Sequence, residues 1–145
     1  SISAEVAEGY YSIPFGKANV VKKGESLSVI TYGMGVHWAL DYTEKNPDQN
    51  IEIVDLRSLA PLDTETIYES VRKTNRVLIL HEDNLTGGIG GELLSLIQEN
   101  CFEYLDAPIV RCASLDTPVP FDAAKENQFM AKSRLQVSIE KVLNY

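Results

Sequence analysis

Two hydrophobic periods alternate along the chain. Runs that are largely apolar or β-branched at 27–33 (LSVITYG), 51–56 (IEIVDL), 76–81 (RVLILH) and 108–113 (PIVRCA) predict strands buried on both faces. Between them the spacing turns helical. Val36, Ala39, Leu40 and Thr43 stand at i, i+3, i+4 and i+7 within 34–46, and Asn46-Pro47 stops the pattern. A second helix starts after Asp63, whose carboxylate suits the free N–H groups. Glu65 suits its positive end, Arg72 and Lys73 its negative end, and Leu62 with Ile67 forms a hydrophobic staple. A third helix runs from about Ile89 to Asn100. A last one starts near Ser133, with Leu135, Ile139, Val142 and Leu143 on one face and Ser133 with Gln136 as a capping box. A short strand at 18–21 reads as an added edge strand, antiparallel to the rest. Apolar strands alternating with helices of about a dozen residues predict an α/β fold, a parallel sheet covered on both faces.

Residues 1–16 carry no period and are broken by Pro14 and Gly16, so they read as an extended lead-in. The 145 residues suit one domain. No apolar run approaches the ~18 residues of a membrane span. The net charge of −8 speaks against nucleic acid or an anionic membrane as partner, since both need a basic footprint. Residues 82–126 concentrate that charge, with nine acidic side chains against Arg111 and Lys125. A solvated face explains this; so does a surface that steers a basic partner. Cys101 and Cys112 lack metal-site spacing and fit a reducing cytoplasm.

In such a fold, functional loops follow the carboxyl ends of strands, here 32–35, 57–62, 81–91 and 114–121. The third holds four glycines, Gly87, Gly88, Gly90 and Gly91, before a helix. An anion cradle and a close backbone approach both use glycine there. The close approach is favoured. The dinucleotide spacing lacks its third glycine, no Gly-Lys-Ser/Thr follows, and Glu82, Asp83 and Glu92 repel phosphate. His81 beside Glu82 has the chemistry of a general base, but no local motif marks a nucleophile. For His37 and His81 alike a packed side chain is the simpler reading. The residues alone favour a binding or assembly domain, with a freestanding nucleotide- or anion-binding α/β domain as the alternative.

Several phrases carry a resemblance: Ile13-Pro14-Phe15-Gly16-Lys17-Ala18, the stretch from Asp55-Leu56-Arg57 to Pro61-Leu62-Asp63, the glycine loop, and Asp116-Thr117-Pro118. They resemble the C-terminal domain of transketolase-like enzymes, above all the beta subunit, or beta half of an alpha–beta fusion, of thiamine-diphosphate-dependent 2-oxoacid dehydrogenases. These include the pyruvate, branched-chain 2-oxoacid (2-oxoisovalerate) and acetoin enzymes. The resemblance implies a three-layer α/β/α sandwich with about five strands, mostly parallel, and one antiparallel edge strand over 13–145. It makes residues 1–12 an interdomain linker remnant. It implies an oxidoreductase parent, cytoplasmic and bacterial, part of a multienzyme complex that decarboxylates a 2-oxoacid and acylates a lipoyl group. Thiamine diphosphate and magnesium are held by other domains of that parent, so no catalytic, cofactor or metal ligand is carried over to this chain.

What the resemblance does assign here is assembly. Gly87, Gly88, Ile89, Gly90 and Gly91 fall where these domains meet each other, as in a homodimer contact, or meet the alpha and beta N-terminal parts. A basic subunit-binding domain of the acyltransferase core docks on the acidic residue of a Leu-Asp/Glu-Ala-Pro phrase and on the C-terminal carboxylate. By match these are Asp106 and Tyr145.

Overall fold

In the computed structural model, residue 5 and residues 8–145 are described. Much of the linker reading for 1–12 therefore lies outside the described residues. Five strands form one sheet: β1 (Asn19–Lys22), β2 (Leu27–Thr31), β3 (Ile51–Asp55), β4 (Val77–Asn84) and β5 (Val110–Ser114). Their spatial order is β1-β3-β2-β4-β5, with β1 antiparallel to β3 and every other pair parallel. The helices are α1 (Met34–Lys45), α2 (Thr64–Thr74), α3 (Gly90–Cys101), α4 (Ala123–Phe129) and α5 (Leu135–Leu143), with 3-10 turns at Pro47–Gln49, Phe102–Tyr104 and Ala131–Arg134.

Strand side chains alternate between two cores. Leu27, Val29, Ile51, Ile53, Leu78, Leu80 and Cys112 face α1 and α5, where Trp38, Leu135, Ile139 and Val142 meet them. Ile30, Val54, Val77 and Ile79 face α2 and α3, against Ile67, Val71, Leu93 and Ile97. That is the three-layer sandwich, and it explains why the strands read as continuous apolar runs. The crossover through α1 moves one way across one face; that through α2 returns the other way across the opposite face. The two crossovers therefore share one hand.

One buried polar cluster interrupts the α2-side core. The Glu52 carboxylate accepts from Ser70 Oγ at 2.6 Å, from Gly24 N at 3.4 Å and from Lys73 Nζ. Ser28 Oγ bonds Ser70 Oγ at 2.6 Å and Thr74 Oγ1 at 2.7 Å. Every member has a partner, so β2, β3 and α2 are locked in register without an orphaned charge.

Three elements differ from expectation. Strand β4 runs on to Asn84, because an irregularity between Leu80 and Asn84 lets it rejoin β5 at Ser114. Helix α4, capped by Asp122, was not predicted; only Phe129 among its residues is buried, so it lacks an apolar stripe. The capping box at Ser133 does not form. A 3-10 turn occupies that position, Ser133 Oγ donates to the carbonyls of Gln128 and Met130, and Gln136 reaches Glu140 instead.

Candidate functional site

The two ends of the sheet carry different chemistry. At the carboxyl end, the loops after β2 and β4 leave for opposite faces, which makes a crevice of the kind that binds ligands in open α/β sheets. Its walls here are acidic. Burial raises the Tyr32 phenol, and the charges of Asp83 and Glu82 raise it further. Gly33, at φ 56°, lies beside Glu82.

The glycine loop closes on the domain itself. His81 is fully buried, and the backbones of Gly88 and Gly90 press on its ring. A Cβ at Gly88 would sit 2.7 Å from His81 Cε1, and one at Gly90 2.9 Å from His81 Cδ2. The close-approach reading of these two glycines is thus met within the domain, where their backbones pack on an imidazole. Among the described residues neither ring nitrogen has a hydrogen-bond partner within ordinary geometry, and burial holds the imidazole below its ordinary pKa against the opposing pull of Asp83. Gly87 is exposed and Ile89 and Gly91 half-buried, so those three keep an outward surface. The loop is tied to its neighbour by Asp116, which accepts from Thr86 N at 2.8 Å and Thr86 Oγ1 at 2.7 Å. Those bonds, with the weak influence of Arg111, hold the Asp116 carboxyl below its usual range. A diphosphate with its magnesium does not fit this end. Among the described residues no group of three His, Cys, Asp or Glu side chains could hold a metal.

The lead-in is fixed by Asp63. Its carboxylate accepts from Thr66 N and Thr66 Oγ1 as a helix cap, and also from Ala18 N at 3.0 Å, with Lys17 Nζ 4.0 Å away. Gly16, at φ 66°, packs on Pro61. The separate phrases at 13–18 and 61–63 are thereby one structural unit.

At the opposite, amino end of the sheet, α3 finishes, the turn before β5 begins and α5 runs out. There Asp106 and Tyr145 line one open groove of about 360 Å³ with Gln98, Phe102, Leu105, Ala107 and Pro108. Asp106, Tyr145 and Phe102 are exposed. The acidic block of 82–126 does not form a single face. Glu82, Asp83 and Asp116 stand at the carboxyl end, Glu103 and Asp106 at the amino end, separated by the length of the sheet.

Neither cysteine is activated. Burial raises the Cys112 thiol, and its Sγ donates to Ala131 O. Cys101 is also raised by burial, although the fold brings Arg72 close enough to oppose it. His37 is half-buried in α1.

The description "Transketolase, C-terminal domain" matches residues 16–134, and the chain belongs to that family. Over 141 residues it is 43% identical to the 2-oxoisovalerate dehydrogenase subunit beta of Pseudomonas aeruginosa, covering 97% of this chain and 40% of that protein. It is 38% identical over 146 residues to the pyruvate dehydrogenase E1 component subunit beta of Rickettsia felis, covering 99% of this chain and 45% of that protein. The chain thus spans less than half the length of these curated relatives. A split-gene transketolase, solved as an inactive beta4 tetramer, superposes with a TM-score of 0.78 at 23% identity, over 97% of this chain and 46% of that one, which shows the shared fold.

Proposed function

We propose that this chain is the C-terminal assembly and docking domain of the decarboxylating component of a 2-oxoacid dehydrogenase. The likeness to beta subunits over nearly the whole chain supports that parent. The parent, a cytoplasmic oxidoreductase, uses thiamine diphosphate and magnesium held outside these residues. It acts on a pyruvate-, branched-chain- or acetoin-type substrate. The chain itself is not catalytic.

The observation that carries the docking role is the placement of Asp106 and Tyr145 on one groove. The Asp106 carboxylate shares this groove with the exposed side chains of Phe102 and Tyr145. A basic subunit-binding domain of an acyltransferase core fits such a surface through charge-assisted hydrogen bonds. Residues Gly87, Ile89 and Gly91 form the outward part of a subunit contact at the other end, with Gly88 and Gly90 shaping it from inside.

Titration calorimetry of the full chain with a recombinant basic subunit-binding domain tests the docking role. Asp106→Ala is expected to weaken binding at least about tenfold, as for loss of a hydrogen bond to a charged group. Unchanged affinity in Asp106→Ala removes the docking assignment, and unchanged affinity in a chain lacking Tyr145 removes Tyr145 from it.

A further inference from the structure

The turn that carries Asp106 is tied to a neighbouring helix. Residues 102–106 leave the end of α3 through one 3-10 turn, in which Leu105 N returns to Phe102 O. Further anchors come from α2. Asn75 is the C-cap of α2 and adopts the left-handed conformation at φ 59°, with its N–H on Val71 O. That conformation turns both its backbone carbonyl and its side chain toward the neighbouring turn. Asn75 O accepts from Asp106 N at 2.8 Å, and Asn75 Nδ2 donates to Tyr104 O at 2.7 Å. The same amide also reaches Arg72 O at 3.3 Å. One turn earlier on α2, the Arg72 guanidinium lies 5.9 Å from the centroid of the Tyr104 ring and pairs with Glu65.

We infer that Asn75 is a positioning residue for the docking groove: it pins the turn on both sides of Leu105 and so fixes where the Asp106 carboxylate points. This rests on the docking reading of Asp106. The physical reason is geometric. A carboxylate on an exposed turn earns directional hydrogen bonds only if its backbone is held, because otherwise binding must order the turn at the cost of affinity. Asparagine meets three demands at one position. It tolerates the left-handed region, its carbonyl faces Asp106 N, and its amide supplies the donor for Tyr104 O. Glycine satisfies the first two and lacks the third, which makes Asn75→Gly a clean probe that keeps the helix cap.

The test uses the full chain, the same recombinant basic subunit-binding domain, and amide NMR of the free chain. Asn75→Gly is expected to move the amide resonances of Phe102, Tyr104 and Asp106 before any partner is added. It is expected to weaken binding about three- to tenfold, the range for one lost hydrogen bond, and to flatten the salt dependence of affinity with no change in the α2-side core resonances. In an Asp106→Ala background the same substitution should then change affinity little, because the group it positions is gone. Asn75→Asp, which keeps the left-handed turn but offers Tyr104 O no donor, should weaken binding at least as much. Unmoved Asp106 and Tyr104 resonances in Asn75→Gly overturn the inference. So does full additivity with Asp106→Ala, while the docking reading stands. If Asp106→Ala itself leaves binding unchanged, both fall together.

Discussion

His81 lies directly beneath Gly90, with the first turn of α3 resting on the imidazole. The contact leaves no room for a methyl group. Gly90→Ala is expected to destabilise the chain by about 1–3 kcal/mol through overpacking. Gly91→Ala, whose Cβ would meet only Arg111 Nη1 at 3.7 Å, should cost far less. Urea midpoints of the two variants measure the difference, and equal losses would contradict the packing account.

The same burial makes His81 a proton-linked weakness. Its folded pKa lies below the ordinary value, burial outweighing the pull of Asp83 while Arg111 adds to the depression. The unfolded chain therefore takes up a proton that the folded chain resists. Stability is fullest above about pH 6.5 and falls as pH drops from there toward the lowered folded value, with a slope of at most about 1.4 kcal/mol per pH unit. His81→Leu should flatten that slope between pH 7 and 5. An identical slope in both proteins would assign the effect to other groups.

Asp63 acts in the opposite direction along the pH scale. Burial alone would raise its pKa, but the hydrogen bonds from Thr66 and Ala18, with Lys17, hold it below the ordinary range. Its contribution is complete above about pH 4 and is lost as pH falls through the lowered folded value. Asp63→Ala should cost about 1–2 kcal/mol at neutral pH, as for a lost N-cap. It should also loosen residues 16–18, read as faster amide exchange at Ala18.

Much of this was legible in the sequence. The four buried strands, α1, α2 with its Asp63 cap, α3 and a short edge strand follow from period and local chemistry, and the antiparallel sense of that edge agrees with what the family resemblance implied. Leu62 and Ile67, expected to form a staple, both pack on the α2-side core. What stayed hidden depends on neighbours distant in sequence. Helix α4 has no apolar stripe to betray it. Ser133 lost its cap role because Arg134 anchors the preceding turn to the carbonyls of Gln128, Phe129 and Ala113. The clasp on His81 required knowing that the glycine loop folds back over β4. The likeness of Asp106 to a family phrase suggested a role; the groove it shares with Tyr145, and the hold of Asn75 on its turn, appear only in three dimensions.

Lys73 tests the polar cluster. Lys73→Met leaves the buried Glu52 carboxylate with Ser70 and Gly24 as donors but no cation. A loss of about 2–3 kcal/mol is expected, less than for a fully buried pair because the lysine is partly in water. Adding Glu52→Gln should recover part of it by removing the unpaired charge. Chemical denaturation of the single and double variants reads this directly.

The filled glycine loop also predicts a negative binding result. Calorimetry of the chain with thiamine diphosphate and magnesium should give no heat of binding. Saturable binding that Gly90→Ala abolishes would reverse the reading of that loop.

The guanidinium of Arg134 has a consequence for solubility. An edge strand such as β5 presents unpaired backbone groups that can recruit a strand from another molecule. Arg134 covers Ala113 O, and Phe129 O takes the N–H of Leu115 just beyond the strand, so this end of β5 is closed. At the far side of the sheet, β1 is only four residues long, carries Lys22 and breaks register between Val20 and Lys22. Both margins of the sheet are therefore blunted against growth into fibrils, so the largely apolar strands between them are not offered to a strand from another molecule.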